Sequence, residues 1–102
     1  MPVVVSDTSP LRALHHLGHL DWLRELFGQV FLPSAVAAEL RRPPVTYASI
    51  DVSMWPHLHV RAPRNAARVA ELQVVLDPGE AEAIALAEEL RADAILIGCK
   101  PN

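Results

Sequence analysis

The sequence predicts an α/β domain with a mainly parallel sheet. Apolar runs at residues 3–5, 30–32 and 94–97 lack the alternation that marks a strand with one solvated face. Such runs are typical of strands covered on both faces by helices. Segments with helical spacing of apolar residues separate them, and this is the order of elements that a parallel sheet requires. The length of 102 residues suits one domain with a real core.

The composition excludes several classes of protein. Hydrophobic residues make up 51% of the chain, which therefore has enough apolar surface to fold. The sequence lacks a membrane-length apolar run and a signal-like start, so we expect a cytoplasmic protein. The single cysteine, Cys99, excludes an internal disulfide and a multi-cysteine zinc site. The net charge of -3 offers no general basic surface for nucleic acid, so RNA binding would need metal ions, local basic patches or a partner.

Proline and glycine residues in the first half of the chain mark where helices begin and end. Proline is favoured at the first helical position and glycine just after the last, so Pro10 begins a helix and Gly18 and Gly28 each end one. The prolines at 43 and 44 forbid continuation of a third. The predicted elements are a strand at 3–5, helices at 10–17 and 20–27, a strand at 30–32 and a helix at 33–41.

The second half begins with a weak pattern and ends with a strong one. Residues 58–62 alternate apolar and polar side chains, which indicates a half-exposed strand near a sheet edge. Asn65 and Asp77 each stand where they could cap a helix. The predicted elements are a loop with one irregular helical turn at 45–56, a strand at 58–62, helices at 66–72 and 78–90, and a buried strand at 94–97.

Three acids are candidates for chemistry. Asp7 follows the first strand, and ligands of α/β sheets bind beyond the carboxyl ends of the strands. Glu39 borders the apolar side of its helix, and Glu80 is in line with an apolar stripe. If these carboxylates point inward, they must be paired or hold a cation, because an isolated buried charge is too costly.

Each acid also has a structural alternative. Asp7 could simply cap the following helix, and Glu39 could be a solvated helix residue. Glu80 could form a capping box with Asp77. Glu82 is expected on an ordinary solvated face.

Four ordered segments together resemble the PIN domain, and most closely the VapC-like toxins of toxin-antitoxin pairs. The segments are VSDTSPL at 5–11, FLPSAV with EL at 31–40, LDPGEAEAIALA at 76–87 and DAILI at 93–97. The resemblance implies a three-layer α/β/α sandwich and a metal-dependent endoribonuclease. It also implies that Asp7, Glu39 and Glu80 hold Mg²⁺ or Mn²⁺, with Ser9 as a hydroxyl supporting the first acid. Oxygen ligands are what both ions prefer.

The sequence departs from the family pattern after about residue 97. Related chains usually continue with an Asp, a further strand and a helix, whereas here Gly98 follows and the fourth acid is absent. We therefore expect a single PIN-like domain at 1–102 that lacks the last strand, with an exposed sheet edge that favours dimerisation. The alternative function is a catalytically impaired module that binds RNA, metal or an antitoxin. Restoring an Asp at position 98 is the corresponding test.

The remaining expectations concern partners and histidines. The resemblance implies an RNA substrate, a homodimer and an antitoxin protein. A nucleotide-binding domain is disfavoured because no glycine-rich phosphate loop follows a buried strand. His15 and His19 lie one helical turn apart but lack an evident third metal ligand, and His57 and His59 are expected to face solvent.

Overall fold

The structure is a computed structural model, and it describes residues 2–44 and 46–98. Within these residues, four strands alternate with helices along the chain. The strands are β1 (Val4–Ser6), β2 (Val30–Pro33), β3 (Leu58–Arg61) and β4 (Ala94–Leu96). The helices are α1 (Thr8–His16), α2 (Trp22–Phe27), α3 (Ser34–Arg41), α4 (Ala66–Gln73) and α5 (Pro78–Leu90), with a 3₁₀ turn at Val52–Met54.

The four strands form one parallel sheet in the order β3-β2-β1-β4. Val4 pairs with Val30 on one side and with Ala94 on the other. Because β1 is an inner strand, the residue that follows it lies at the middle of the carboxyl edge. The prediction of a parallel α/β sheet is confirmed.

Helices cover both faces of the sheet. Val4 and Val5 are adjacent and fully buried, and their side chains enter two separate apolar clusters because successive residues of a strand point to opposite faces. Val4 packs in a cluster with residues of α1, α2 and α3, whereas Val5 packs with Ala83 and Leu86 of α5. The three-layer arrangement implied by the family resemblance is therefore confirmed.

The first helix starts earlier than predicted. Its first residue is Thr8, and the Asp7 carboxylate accepts a hydrogen bond of 2.7 Å from the Thr8 backbone N–H. The prediction placed the start at Pro10, which instead occupies the third helical position. An aspartate can cap a helix directly at a strand end, so no linker separates β1 from α1.

The last described strand is less buried than predicted. Ile95 and Ile97 expose 36% and 43% of their surface. In the described part of the sheet β4 pairs with β1 alone, so it is an edge strand. The apolar run correctly predicted a strand but wrongly predicted its burial, because burial depends on neighbours in space. Cys99 lies outside the described residues.

β3 is also an edge strand, as its alternating pattern predicted. His57, which precedes it, was expected to be exposed but has only 3% of its surface accessible. Its Nε2 lies 3.2 Å from the carbonyl oxygen of Leu20. This hydrogen bond explains how the ring is tolerated in the interior.

Helix α5 packs against the elements around it through small side chains. Ala81, Ala83 and Ala85 are almost fully buried, and Ala83 packs against Val5 of the sheet. Asp77 caps its first turn, as predicted, by accepting a 2.9 Å hydrogen bond from the Glu80 N–H. None of the helices in the described part of the chain is long and apolar enough to cross a membrane.

Candidate active site

The candidate site begins with Asp7, directly beyond the central strand β1. Only 3% of the residue is accessible. Its backbone N–H donates to the Leu96 carbonyl oxygen at 2.8 Å, and its Oδ1 accepts from the Thr8 N–H. The sheet thus fixes the backbone of Asp7, and the first turn of α1 fixes its carboxylate. Asp7 does cap α1, as its structural alternative proposed. The same hydrogen bond holds its carboxylate at the edge of the sheet where the strands end.

Glu39 reaches this edge from α3. The residue is exposed overall, but its Oε2 accepts a 2.7 Å hydrogen bond from the Thr8 Oγ1 hydroxyl. This contact joins residues 31 positions apart and ties α3 to α1. The family resemblance implied Ser9 as a hydroxyl supporting the first acid, Asp7, whereas in the structure it is the Thr8 hydroxyl that contacts Glu39. Nothing in the sequence around Thr8 predicts its contact with Glu39, because that contact depends on where α3 lies.

Gly79 brings the two carboxylates to a common point. A β-carbon placed on Gly79 would lie 2.7 Å from Glu39 Oε1 and 3.3 Å from Asp7 Oδ1. The first distance is shorter than real side chains show, so the arrangement depends on the absence of a side chain here. Gly79 is buried in the first turn of α5. In the sequence, this role of Gly79 was indicated only by the presence of a poor helix former inside a well-capped helix.

Glu80 occupies the third position of α5 and is half-buried. Its backbone N–H donates to Asp77, which realises one half of the predicted capping box. Across residues 2–44 and 46–98, no three His, Cys, Asp or Glu side chains are grouped so that they could hold one ion. The structure therefore brings Asp7 and Glu39 together, and a role of Glu80 as third ligand stays a prediction.

The donor chemistry at Gly79 suits a hard divalent cation. Two carboxylates converge there, and like charges at close range repel one another unless a cation or protons compensate them. The missing β-carbon leaves their oxygens facing a backbone surface instead of an apolar side chain. Mg²⁺ and Mn²⁺ take such oxygen ligands and, in the case of Mg²⁺, usually complete their shell with water.

Comparison with models of known protein families shows to which family this domain belongs. A family model described as a PIN domain (DUF3368) matches residues 3–100, which is nearly the whole chain. The chain belongs to the PIN domain family. Comparisons with curated proteins and with solved structures gave no match.

A second carboxylate of α5 positions the acid-bearing helix of this PIN domain. Glu82 Oε1 accepts hydrogen bonds of 3.0 Å from the Ser34 hydroxyl and from the Ala35 N–H. Helix α3 has Pro33 at its N-cap, and proline carries no side-chain acceptor, so Glu82 caps α3 from another element. The expectation of a solvated Glu82 was wrong, because helical periodicity gives no information on where the first turn of α3 lies relative to α5.

The end of the described chain packs tightly against the start of α1. A β-carbon on Gly98 would lie 2.4 Å from Ser9 Cβ. Any side chain at position 98 therefore forces a shift of the backbone or of Ser9. In this PIN domain, introducing an Asp at position 98 would disturb the packing as well as add a carboxylate, which makes it an unsuitable single test.

Several charged side chains form hydrogen bonds where α4 meets α5. The N–H groups of Asn65 and Arg64 donate to the Glu89 carboxylate and lower its pKa below the ordinary value of 4.5. A hydrogen bond from Arg68 likewise lowers the pKa of Glu88. Helix α4 is thus attached to α5 by charged contacts that lie away from the Asp7–Glu39 pair.

Proposed function

We propose that this PIN domain is a divalent-metal-dependent endoribonuclease of the VapC-like toxin type, which hydrolyses phosphodiester bonds of RNA. The observation that supports the proposal most is the convergence of the Asp7 and Glu39 carboxylates at Gly79, beyond the carboxyl end of the central strand. A pair of acids at this place suits a metal-assisted hydrolase, and nucleases commonly use such ions.

In this proposal Asp7 and Glu39 hold Mg²⁺ or Mn²⁺, and Glu80 contributes a third carboxylate. The bound ion supplies positive charge at the phosphate and activates water near neutral pH. Thr8 orients Glu39 by its 2.7 Å hydrogen bond, and the strand and helix contacts of Asp7 prevent it from turning away. The first turn of α5 lies beside the acids, and its partial positive charge favours an approaching phosphate.

A second candidate is a catalytically impaired PIN module that binds RNA, metal or an antitoxin. Two observations favour it. Position 98 carries glycine where the family resemblance implies an acid, and the described residues lack a group of three metal-binding side chains. The two candidates differ in turnover and not in fold.

The proposed partners are RNA, a second copy of the chain and an antitoxin protein. The edge position of β4 in the described sheet supports pairing with another chain, because an open strand edge presents unpaired backbone groups. Ile95 in this strand and Ile97 just after it have exposed side chains. A basic side chain of an antitoxin would complement the two carboxylates at Gly79.

The deciding experiment is cleavage of a labelled single-stranded RNA by the purified chain with Mn²⁺ or Mg²⁺. Asp7→Asn keeps the shape of the side chain and removes its charge, so it should abolish cleavage, as should EDTA. Asp21→Asn is the matched control, because Asp21 is exposed and makes no side-chain cap bond to α2. Absence of cleavage by the folded parent chain would support the impaired module instead.

A further inference from the structure

A pocket of about 190 Å³ lies beside α1, and one of its lining residues, Arg12, contacts the backbone of Glu39. It is lined by Arg12, His15, His16, Tyr47, Ala48 and Ile50. Arg12 follows Thr8 by four residues, so the two side chains lie on the same face of α1, and both contact Glu39. The Arg12 Nη2 donates to the Glu39 carbonyl oxygen at 3.2 Å. Glu39 therefore links the two places, because its backbone carbonyl contacts the pocket residue Arg12 and its carboxylate belongs to the proposed metal site.

Arg12 is held in a defined position. Its guanidinium carbon lies 4.9 Å from the centre of the Tyr47 ring, within the range of a cation–π contact. The hydrogen bond to Glu39 fixes one end of the planar group. Its Nε is buried and has no hydrogen-bond partner among the described residues. A buried donor without an acceptor is unfavourable, so the contacts with Glu39 and Tyr47 do not fully satisfy Arg12 among the described residues.

The lining of this pocket matches the chemistry of one nucleotide. A guanidinium pairs with phosphate oxygens through its fork of donors, and imidazole nitrogens can add hydrogen bonds. An aromatic ring next to a cation is the usual means of stacking an unpaired base of single-stranded RNA. Since the chain carries a net charge of -3, attraction to phosphate has to come from such a local group.

We propose that this pocket is a subsite for one nucleotide of single-stranded RNA, with Arg12 contacting the phosphate and Tyr47 the base. The inference rests on the proposed function, because it places the strand next to the Asp7–Glu39 pair. The proposed ligand is an RNA strand. Free inorganic phosphate could also bind Arg12, so the test has to distinguish the two ligands.

The test measures binding of a labelled single-stranded RNA of about eight nucleotides by fluorescence anisotropy. The full chain is used with Ca²⁺, and cleavage is measured separately with Mn²⁺. Arg12→Gln should raise the Kd by about fivefold or more, and should lower the slope of log affinity against log salt by about 0.7, because one phosphate contact is lost. Tyr47→Leu should raise the Kd while leaving that slope unchanged, since stacking carries no net charge.

Two further variants serve as controls. Arg91→Gln removes the same charge from an exposed residue at the other end of α5 and should leave the Kd unchanged within about twofold. Arg12→Lys keeps the charge but loses the planar fork, so it should retain the salt slope with weakened binding. This variant keeps the proposal testable if Arg12→Gln does not fold, as judged by circular dichroism.

The outcomes separate the two proposals. Cleavage with Arg12-independent binding overturns the subsite and leaves the nuclease proposal intact. Arg12-dependent binding without cleavage supports the subsite and contradicts the nuclease proposal. RNA that fails to bind, an equal loss of affinity in Arg91→Gln, or inorganic phosphate that binds through Arg12 without competing with RNA would each overturn the subsite.

Discussion

Substituting Gly79 by alanine perturbs the point where the two carboxylates meet. The new β-carbon would lie 2.7 Å from Glu39 Oε1 and 3.3 Å from Asp7 Oδ1. Glu39 must move because its carboxylate ends a flexible side chain, whereas Asp7 is buried and its carboxylate is held by the Thr8 N–H. We expect Glu39 to swing away and to lose its hydrogen bond with Thr8.

The effect of Gly79→Ala on stability should be small because two contributions oppose each other. Alanine in place of glycine inside a helix stabilises it by about 0.5–1 kcal/mol. Loss of a hydrogen bond to a charged group costs about 1.5 kcal/mol, at the lower end of the usual range because Glu39 is an exposed residue. The net loss is about 0.5–1 kcal/mol, which corresponds to a fall in Tm of about 2–8 °C for a domain of this size.

The effect on metal binding should be large by comparison. At a Mn²⁺ concentration about 100 times its Kd, binding stabilises the parent chain by about 2.7 kcal/mol, or about 10–20 °C in Tm. Gly79→Ala should remove most of this response together with cleavage. The assay is a thermal melt followed by circular dichroism across a Mn²⁺ titration.

Combining Gly79→Ala with Glu39→Gln tests whether the effect acts through the carboxylate. If it does, the two substitutions together should reduce the Mn²⁺ response no further than Glu39→Gln alone. A parent-like Mn²⁺ response and a parent-like cleavage rate in Gly79→Ala would refute the argument that the close approach at this glycine matters.

Three further predictions follow from contacts at α3, at the end of the sheet and at the junction of α4 with α5. Glu82→Ala removes the cap of α3 and should lower the free energy of unfolding by about 1–2 kcal/mol, measured by urea denaturation, with Glu82→Gln recovering part of the loss. Gly98→Asp should lower the Tm without raising cleavage, and adding Ser9→Gly should restore stability because it removes the β-carbon that lies 2.4 Å away. Glu89→Gln should flatten the loss of stability in acid, measured as the urea midpoint against pH. Hydrogen bonds from Asn65 and its neighbour lower the pKa of Glu89, so its contribution is present above the ordinary value of 4.5 and is lost as the pH falls through the lowered value.

Each of these predictions has a contrary result. Equal urea midpoints for Glu82→Ala and the parent chain would show that α3 is positioned without this cap. A stable Gly98→Asp chain would show that the end of the sheet can shift at little cost. An unchanged acid dependence in Glu89→Gln would indicate that other carboxylates dominate; Asp51, whose pKa is lowered by hydrogen bonds from Ser53, is the comparison.

Local signals predicted most of the elements correctly. Proline, glycine and cap residues act within a few positions along the chain, so the ends of α5 and the turn at Gly18 could be derived from neighbouring residues. Asp77 and Asn65 cap their helices as predicted. The start of α1 was wrong by two residues because a strong cap at Asp7 outweighed the preference of proline for the first position.

The candidate site was only partly accessible to sequence reasoning. Asp7 and Glu39 were selected from their places after a strand and beside an apolar stripe, and the structure brings them together. Thr8, Gly79 and Arg12 were missed because each acts through a neighbour distant in the chain. No periodicity distinguishes a glycine that admits two carboxylates from one that merely weakens a helix.

The sequence by itself determined the parallel α/β class, the order of the strands and helices, and the acid at the end of the first strand. These properties depend on side-chain patterns and caps that span only a few residues. Only the tertiary structure decided that Glu82 caps α3, that Ile95 and Ile97 are exposed and that the carboxylates meet at Gly79. These contacts link residues far apart in the chain, such as Glu82 and Ala35, which are separated by 47 positions. Their distances are set by how helices pack on the sheet, and that packing depends on the whole core.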